Sequence, residues 1–496
     1  MRPESSRLYR QMKELPIHIP LDPKSGKTLY EQIYEYIREE IRAGRLLANE
    51  KLPSARFLAQ DLQISRTTVD MAYGQLVAEG YVTARPKRGY FVSALEDLYE
   101  LKKSFEEKET RKDRPEDQSV KMRADVCRYD FSPNVIDMSL FPYATWKKIT
   151  KNILVDAKSH MFALGEPQGD VELRTTICRY LHASRGVNCE PEQIIVGAGN
   201  DFLLLLLEKI LGRHVHVAME NPTYVRAYKI FRSFAYPVSL IPVDEKGIKV
   251  DCLKRTDAKI AYVMPSHQYP TGVSMPIGRR MELLKWAAEG KERYLIEDDY
   301  DSEFRYKGKP LPSLQASDTA GHVIYIGTFS KAIAPAIRIS YMVLPYPLLE
   351  KYRRECGFFS SSVSRIDQTI LNEFIRDGYF ERYLNKMRKH YRMKHDLLMN
   401  EIRPLEKQFK ITGSNAGLHI LLTDKRGRSE ASLEEAARAQ GVKTYPLGEF
   451  RMGEGTASEA DGESGYHKAA AMILGYGGLS LEDICAGIRI LKKVWS

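Results

Sequence analysis

The sequence has no apolar run long enough to cross a membrane. Its most hydrophobic stretch, Phe202 to Leu207, spans six residues, whereas a transmembrane helix needs about 20. The first twenty residues carry charges throughout and lack the apolar core of a secretory signal. These absences argue against a membrane-spanning class, and we expect the protein to be cytoplasmic.

Cysteine is scarce and scattered along the chain. The sequence contains no Cys-x-x-Cys pair and no familiar metal-ligand spacing, which is typical of a protein from a reduced compartment. The spacing predicts free core thiols and no metal site. The six cysteines are Cys127, Cys178, Cys189, Cys252, Cys356 and Cys485.

The length and composition indicate a globular protein of more than one domain. The chain has 496 residues, and a single hydrophobic core usually stops growing near about 250–300 residues. Apolar residues make up 43% and charged residues 28%, as in ordinary globular proteins. A net charge of +10 permits a polyanionic partner without requiring one.

A set of short helices is predicted near the amino terminus. Ile33, Ile37 and Ile41 recur at helical spacing and form the apolar stripe of an amphipathic helix. Ser54 and Ser65 stand where they can cap two shorter helices in succession. The pattern therefore predicts three helices, of which the last two are joined by a tight turn.

A small hairpin follows these helices. The segment YVTARPKRGYFV places β-favouring residues on both sides of a basic turn at residues 86–89. Its charged tip, with Lys87 and Arg88, would project as a wing. Helices followed by such a wing form an architecture that reads DNA.

Several polar and cationic side chains in this region are candidates for DNA contact. The start of a recognition helix offers small polar groups, cations and free amides to the major groove and to phosphates. A Ser-Arg-Thr-Thr helix start alone fits a capped surface helix equally well. The candidate DNA-binding residues are Arg56, Ser65, Arg66, Thr67, Thr68, Lys87 and Arg88.

Residues 25–93 resemble the GntR-type winged helix. The resemblance runs through Leu52-Pro53-Ser54-Ala55-Arg56, Ser65-Arg66-Thr67-Thr68-Val69, Glu79-Gly80-Tyr81 and Arg88-Gly89-Tyr90-Phe91-Val92. It implies double-stranded operator DNA as a partner. Residues 94–129 are dense in both charge signs and are interpreted as a charged linker.

The pattern changes over residues 130–496. Apolar strand-like runs such as QIIVGAG, KIAYVMP, RYLIEDD and HVIYIGT alternate with helix-length amphipathic stretches. Such alternation predicts an α/β domain with a mostly parallel sheet. Polar residues stand where these runs end, which is where open α/β sheets bind ligands.

Two of these strand ends carry reactive side chains. Lys331 follows the strand HVIYIGT, with Arg338 seven residues later, and Asp298 and Tyr300 end the strand RYLIEDD. An amine, a buried carboxylate, a phenol and a phosphate-binding cation are what pyridoxal phosphate requires. Alternatives are a surface lysine for Lys331 and a calcium-like acidic loop for the aspartates.

Residues 130–496 resemble the fold-type I aminotransferases. The match runs through GEPQGDVELRTTICRYL, VGAGND, ENPTYVRAY, PSHQYPTGVSMP, IEDDYDSEF and GTFSKAIAPAIRISYMVLP. It implies that Lys331 forms the Schiff base with pyridoxal phosphate, Asp298 pairs with the pyridine nitrogen, Tyr300 donates to the phenolic oxygen and Tyr224 stacks on the ring. It also implies a phosphate cradle made by Gly199, Asn200, Asp201, Thr328, Ser330 and Arg338.

The joined pattern resembles the MocR subfamily of GntR regulators. The resemblance implies a head-to-tail, domain-swapped homodimer in which each winged helix crosses to the partner subunit. Aminotransferases usually carry a late arginine that binds the substrate carboxylate, and this chain has none at the expected place. Arg226 and Arg451 are the candidate substitutes for an effector carboxylate. In addition, Tyr269 stands where aminotransferases usually carry the Asn of Asn-Pro-Thr-Gly, so that cofactor contact is replaced or lost.

The sequence leads to a ligand-gated regulator as the first hypothesis. An amine or amino acid would form an external aldimine and shift the populations of domain arrangements that bind DNA. The rival hypothesis is a working aminotransferase that carries a DNA-binding module. A third possibility is that the protein senses pyridoxal phosphate itself.

Overall fold

The computed structural model describes residues 19–22, 25–94, 127–155, 159–306, 311–453 and 470–496. The chain divides into two compact units, residues 1–124 and 125–496. Most of the predicted linker, residues 95–126, lies outside the described residues. No described helix is long and apolar enough to span a bilayer.

The first unit is a winged helix. Helices α1 (Leu29–Arg42), α2 (Ala55–Asp61) and α3 (Arg66–Ala78) precede the antiparallel strands β1 (Val82–Arg85) and β2 (Gly89–Val92). The predicted helices, both serine caps and the wing are confirmed.

The predicted apolar stripe forms the core of this unit. Ile33, Ile37 and Ile41 of α1 are buried in one cluster with Tyr73 and Leu76 of α3. The Tyr73 hydroxyl donates to the Pro53 carbonyl oxygen at 3.0 Å, so its polar end is satisfied inside the core. The packing holds α3 against α1 and leaves its first turn exposed.

The second unit is built on an eight-stranded sheet. Its strands are β4 (Ile194–Gly197), β5 (Val217–Asn221), β6 (Val238–Asp244), β7 (Gly247–Ile248), β8 (Ile260–Val263), β9 (Tyr294–Asp299), β10 (Val323–Thr328) and β11 (Ser340–Val343). Their order across the sheet is β4-β11-β10-β9-β8-β5-β6-β7. Strands β10, β9, β8, β5 and β6 run parallel, and β11 is antiparallel to both of its neighbours. The predicted mostly parallel α/β sheet is confirmed.

Helices cover both faces of this sheet. Ile194 and Val196 of β4 enter one apolar cluster and Ile195 enters another, as the two-residue period of a strand requires. Burial on both faces explains why the strands are apolar throughout. The helices of the second unit up to residue 402 are α4 (Tyr143–Val155), α5 (Val171–Arg185), α6 (Asn200–Leu211), α7 (Val225–Ser233), α8 (Val250–Lys254), α9 (Ile277–Ala288), α10 (Tyr346–Glu355), α11 (Arg365–Arg376) and α12 (Tyr379–Ile402).

The carboxyl-terminal part adds a smaller layer. Strands β12 (Phe409–Thr412), β13 (His419–Asp424), β16 (Ala471–Gly475) and β15 (Tyr445–Pro446) form an antiparallel sheet in that order. Helices α13 (Glu430–Arg438) and α14 (Leu481–Val494) pack beside it. The short strands β3 (Tyr129–Asp130) and β14 (Val442–Lys443) pair in parallel.

Candidate functional site

The predicted cofactor residues lie in one pocket at the carboxyl ends of the parallel strands. The pocket has a volume of about 140 Å³. All ten residues assigned to the cofactor line it, together with Arg226. Asn134, Met264 and Tyr269 complete the lining.

Asp298 forms the floor of this pocket near the end of β9. Its carboxylate is buried, accepts a short hydrogen bond from the Tyr262 hydroxyl and lies 3.4 Å from the Asn200 side-chain nitrogen. Burial raises the pKa of Asp298 to about 6, while the Tyr262 hydroxyl acts to lower it. A cationic ring nitrogen in the pocket would give this carboxylate a positively charged partner.

Lys331 enters the same pocket from the turn after β10. Its amine lies 4.6 Å from the centre of the Tyr300 ring and 5.8 Å from that of Tyr269. Burial lowers the pKa of the amine, and Asp301 and Asp298 partly oppose this shift. A lowered pKa favours the neutral amine, which is the nucleophilic form. Because Lys331 lines the pocket, the surface-lysine interpretation is wrong.

A buried histidine and aspartate hold Tyr300 in place. His267 Nδ1 lies 2.9 Å from a carboxylate oxygen of Asp301 and 3.0 Å from the Tyr300 hydroxyl. Burial acts to raise the pKa of Asp301, but His267, Lys331 and His419 together outweigh it and keep the pKa below its usual value. His267 and Asp301 therefore fix the position of the Tyr300 hydroxyl, which lines the pocket.

The acidic strand end separates into two environments rather than forming a calcium-like loop. Asp298 and Tyr300 line the pocket, whereas Asp299 forms a buried ion pair with Arg185 of α5 at 2.8 Å. The alternation of a strand puts neighbouring side chains on opposite sides. Asp299 also accepts from the Tyr325 hydroxyl at 2.5 Å. The acidic residues therefore do not converge on a cation.

An anion-binding cradle lies at the amino terminus of α6. Gly199 precedes the helix with φ 89°, a conformation that favours glycine. A Cβ atom there would lie 2.6 Å from Nη2 of Arg338. The Thr328 hydroxyl oxygen accepts from the Ser330 amide and the Ser340 hydroxyl, which leaves its proton to donate. Helix amides, a hydroxyl and a guanidinium suit a phosphate.

The two candidate effector arginines lie in different places. Arg226, in the first turn of α7, lines the pocket and contacts the Asp201 carboxylate at 3.4 Å. That carboxylate also lies 3.4 Å from Arg338. Arg451 forms an ion pair with Glu430 at 3.5 Å and is not among the pocket-lining residues that the structure describes. The structure thus favours Arg226.

Sequence reasoning missed several residues of the site. Tyr262 is a polar residue at a buried strand position, and this was a signal that could have been followed. Asn134 stands near no recognisable motif, yet its side-chain oxygen lies 3.3 Å from the Tyr269 hydroxyl. His419, whose pKa burial lowers to about 3, lies beside His267 with ring centres 5.0 Å apart.

The predicted DNA-contact residues lie on the surface of the winged helix. Ser65 caps α3 by accepting from the Thr68 amide at 3.2 Å, and the two hydroxyl oxygens lie 2.8 Å apart. Arg66 is exposed and contacts Asp70 at 3.3 Å. The remaining candidates are all exposed on the first unit: Arg56, Thr67, Lys87 and Arg88.

Comparison with known proteins decides the family. The model of the bacterial regulatory proteins of the gntR family matches residues 29–92, and that of aminotransferase class I and II matches residues 134–458. The HTH-type transcriptional regulator YdeL of Bacillus subtilis is 40% identical over 94% of this chain and 96% of its own length. The probable rhizopine catabolism regulatory protein MocR of Rhizobium meliloti is 32% identical over 96% and 95%. The chain is a MocR-type member of the GntR family.

Further relatives support both halves of this MocR-type regulator. The pyridoxine biosynthesis regulator PdxR of Corynebacterium glutamicum is 32% identical over 84% of this chain and 87% of its own length. The crystal structure of a multiple substrate aminotransferase from Thermococcus profundus matches with a TM-score of 0.65 and 25% identity, over 79% of this chain and 98% of that one. The protein is therefore a helix-turn-helix transcription regulator with an aminotransferase-like domain, a fold that implies binding of pyridoxal phosphate.

Proposed function

We propose that this MocR-type regulator binds pyridoxal phosphate in the pocket around Lys331 and senses an amine or amino acid there. The carrying observation is the convergence of a lysine amine, a buried carboxylate and an anion cradle in one pocket. The response would reach DNA through the winged helix. Double-stranded operator DNA and a small amine or amino acid are the proposed partners.

The residues present fit the cofactor. Because Gly199 has no side chain, the Arg338 guanidinium can occupy the space beside it at the cradle. Among the described residues, the side-chain oxygen of Asn200 is buried without a hydrogen-bond partner beside Asp298. A buried polar atom without a partner is costly unless a ligand satisfies it. When bound, pyridoxal phosphate supplies an electrophilic carbon that primary amines attack and a ring that withdraws electrons.

Each chain residue has a proposed task in holding the cofactor. Lys331 would hold it covalently, and Asp298 would keep the ring nitrogen protonated. Tyr300 would donate its proton to the phenolic oxygen, and Tyr224 would stack on the ring. The phosphate would be held by Arg338, the hydroxyls of Thr328 and Ser330, and the helix start at Gly199, Asn200 and Asp201.

Arg226 is the proposed contact for an effector carboxylate. Its side chain is 59% exposed and contacts the Asp201 carboxylate, so it can exchange this partner for another. A guanidinium binds a carboxylate in a bidentate manner. Arg451 remains a weaker candidate.

Lys331→Ala tests the cofactor assignment. The purified wild-type protein should show visible absorbance from the bound cofactor, and borohydride should fix the cofactor to the chain. The variant should lose both properties. Lys229→Ala is a matched control, because Lys229 is an exposed lysine of the neighbouring cavity and should leave both unchanged. A yellow, borohydride-reducible Lys331→Ala protein would show that another lysine holds the cofactor.

A working aminotransferase is the second candidate function. It is favoured by the likeness of the whole second unit to the Thermococcus profundus aminotransferase. Single-turnover spectra with candidate amines separate the two functions. A persistent new absorbance indicates a sensor, whereas conversion to pyridoxamine phosphate with release of a carbonyl product indicates an enzyme. DNA affinity that changes with cofactor alone would indicate sensing of pyridoxal phosphate.

Homodimerisation and a cytoplasmic location complete the proposal. Large apolar side chains such as Phe162, Leu164 and Phe358 are exposed on the second unit, as expected if a partner subunit covers them. Sedimentation at several concentrations measures the oligomeric state. Cytoplasmic residence follows from the need to reach operator DNA, and fractionation of cells tests it.

A further inference from the structure

A cluster of two cysteines and a histidine lies outside the pocket, where α5 ends. Cys178 and His182 stand four residues apart on one face of α5. Gly186 ends the helix with φ 65° and turns the chain back, which brings Cys189 beside them. Their three possible ligand atoms all lie within 4.8 Å of one another.

The side chains of Cys178 and His182 both contact the backbone carbonyl oxygen of Cys189. The Cys178 thiol donates to the Cys189 carbonyl oxygen at 3.1 Å, and His182 Nε2 lies 2.9 Å from the same oxygen. Cys178 Sγ and His182 Nε2 are 3.9 Å apart. Both cysteines are buried, whereas His182 is exposed. The arrangement has two soft donors, one imidazole and one side open to solvent.

We propose that Cys178, His182 and Cys189 bind one Zn²⁺ ion, with a water molecule in the fourth position. Zinc prefers tetrahedral sites made of thiolate and imidazole, and three protein ligands with one water are a known form of such sites. Binding displaces one proton from each thiol and forms two Zn–S bonds and one Zn–N bond. The two protons pass to solvent, and no redox change occurs.

The local charges agree with a cation in this place. Glu190, which follows Cys189 in the chain, and Glu192 place negative charge near the Cys178 thiol, and Arg179 partly opposes them. A cation bound between the two thiols would be attracted by these carboxylates. The cysteine spacing along the sequence predicted no metal site. It could not show that the end of α5 and the turn at Gly186 bring the three ligands together.

The ion would fasten the turn after α5 to the helix. Arg185, in the last turn of α5, forms the buried ion pair with Asp299. Asp299 is the neighbour of the pocket carboxylate Asp298. The zinc site would therefore stabilise the side of the sheet that faces away from the pocket, without contacting the cofactor.

The experiment uses the full-length protein, freed of metal with a chelator. Zn²⁺ is then added in competition with a chromophoric chelator, and Co²⁺ is added in a parallel sample. We expect one ion per chain and, with Co²⁺, the strong visible bands of a tetrahedral site with thiolate-to-metal charge transfer. X-ray absorption of the zinc form should show sulfur at roughly 2.3 Å and nitrogen at roughly 2.0 Å.

His182→Gln is the decisive variant, because the side chain is exposed and its replacement should leave the fold intact. Loss of a partner that only supports a ligand costs roughly 10–100-fold in affinity, so loss of the ligand itself should cost at least about 100-fold. Cys178→Ser should weaken Co²⁺ binding and reduce the charge-transfer band of any ion that still binds, because one of the two thiolates is lost. Cys356→Ser, a buried cysteine at the end of α10, is the control and should change neither property.

Three outcomes would overturn the proposal. The first is a wild-type protein that binds less than one Zn²⁺ per chain under these conditions. The second is an unchanged zinc affinity in His182→Gln while its melting temperature matches that of the wild type. The third is protein purified without reductant that contains a Cys178–Cys189 disulfide and that, once the disulfide is reduced, still fails to bind zinc.

Discussion

Gly199→Ala should weaken the binding of pyridoxal phosphate and destabilise the second unit. Gly199 has φ 89° and ψ 168°, a region in which a side chain costs about 1–3 kcal/mol. The added Cβ would also lie 2.6 Å from Nη2 of Arg338. The guanidinium is the flexible end of a side chain, so it would move out of the cradle.

The loss of this contact sets the size of the effect. A hydrogen bond to a charged group contributes about 1.5–3 kcal/mol, and each 1.4 kcal/mol changes a dissociation constant about tenfold. The dissociation constant for the cofactor should therefore rise roughly 10–100-fold. Backbone strain is present with and without cofactor, so it should lower the melting temperature without contributing to this change.

Equilibrium titration of cofactor-free protein, followed by absorbance, measures the affinity. Gly278→Ala is the matched control, because Gly278 lies in α9 and a Cβ there would meet no atom within 4 Å. The control should keep the wild-type dissociation constant. A Gly199→Ala protein that is destabilised yet binds the cofactor as tightly as the wild type would show that Arg338 does not hold the phosphate.

Three further predictions concern the effector, DNA and pH. Arg226→Ala should keep the cofactor absorbance but lose the spectral response to carboxylated amines. If the Arg226→Ala protein responds equally to amines with and without a carboxylate, Arg226 does not have this role. Arg66→Ala should weaken binding to an operator selected from random duplexes by about 1–3 kcal/mol, whereas Lys87→Ala should weaken binding to all duplexes and reduce the salt slope by about 1. The reverse pattern would exchange their roles. Burial raises the pKa of Glu220 to about 8. The protonated carboxyl therefore contributes its full stabilisation of the fold below about pH 4. That stabilisation is lost as the pH rises toward 8, by up to about 1.4 kcal/mol per pH unit. Glu220→Gln should remove that pH dependence. Melting temperatures of the wild type and the variant that change in parallel from pH 5 to pH 8 would contradict the prediction.

Much of the fold was readable from local patterns. The apolar stripe of α1, the serine caps at Ser54 and Ser65, and the hairpin around residues 86–89 each depend on residues a few positions apart. The strands of the second unit were readable because burial on both faces makes them apolar throughout. Their order in the sheet was available only through the resemblance to a known fold.

The site was predictable where its residues follow strand ends. Asp298, Tyr300, Thr328 and Lys331 all follow or end parallel strands, and the carboxyl ends of such strands meet at one edge of the sheet. Arg451 shows the limit of that reasoning. Its ion pair with Glu430 depends on how α13 packs, and no pattern near Arg451 reports it.

The sequence by itself determined the two modules, their order and the strand-end residues of the pocket, because periodicity, capping and strand alternation act over short distances along the chain. Only the tertiary structure decided which distant residues complete the chemistry. Tyr262 reaches Asp298 across 36 positions, and Tyr269 reaches Asn134 across 135. Cys189 meets Cys178 because Gly186 reverses the chain. Such contacts arise from packing of the sheet, its helices and their connecting turns, which no local pattern encodes.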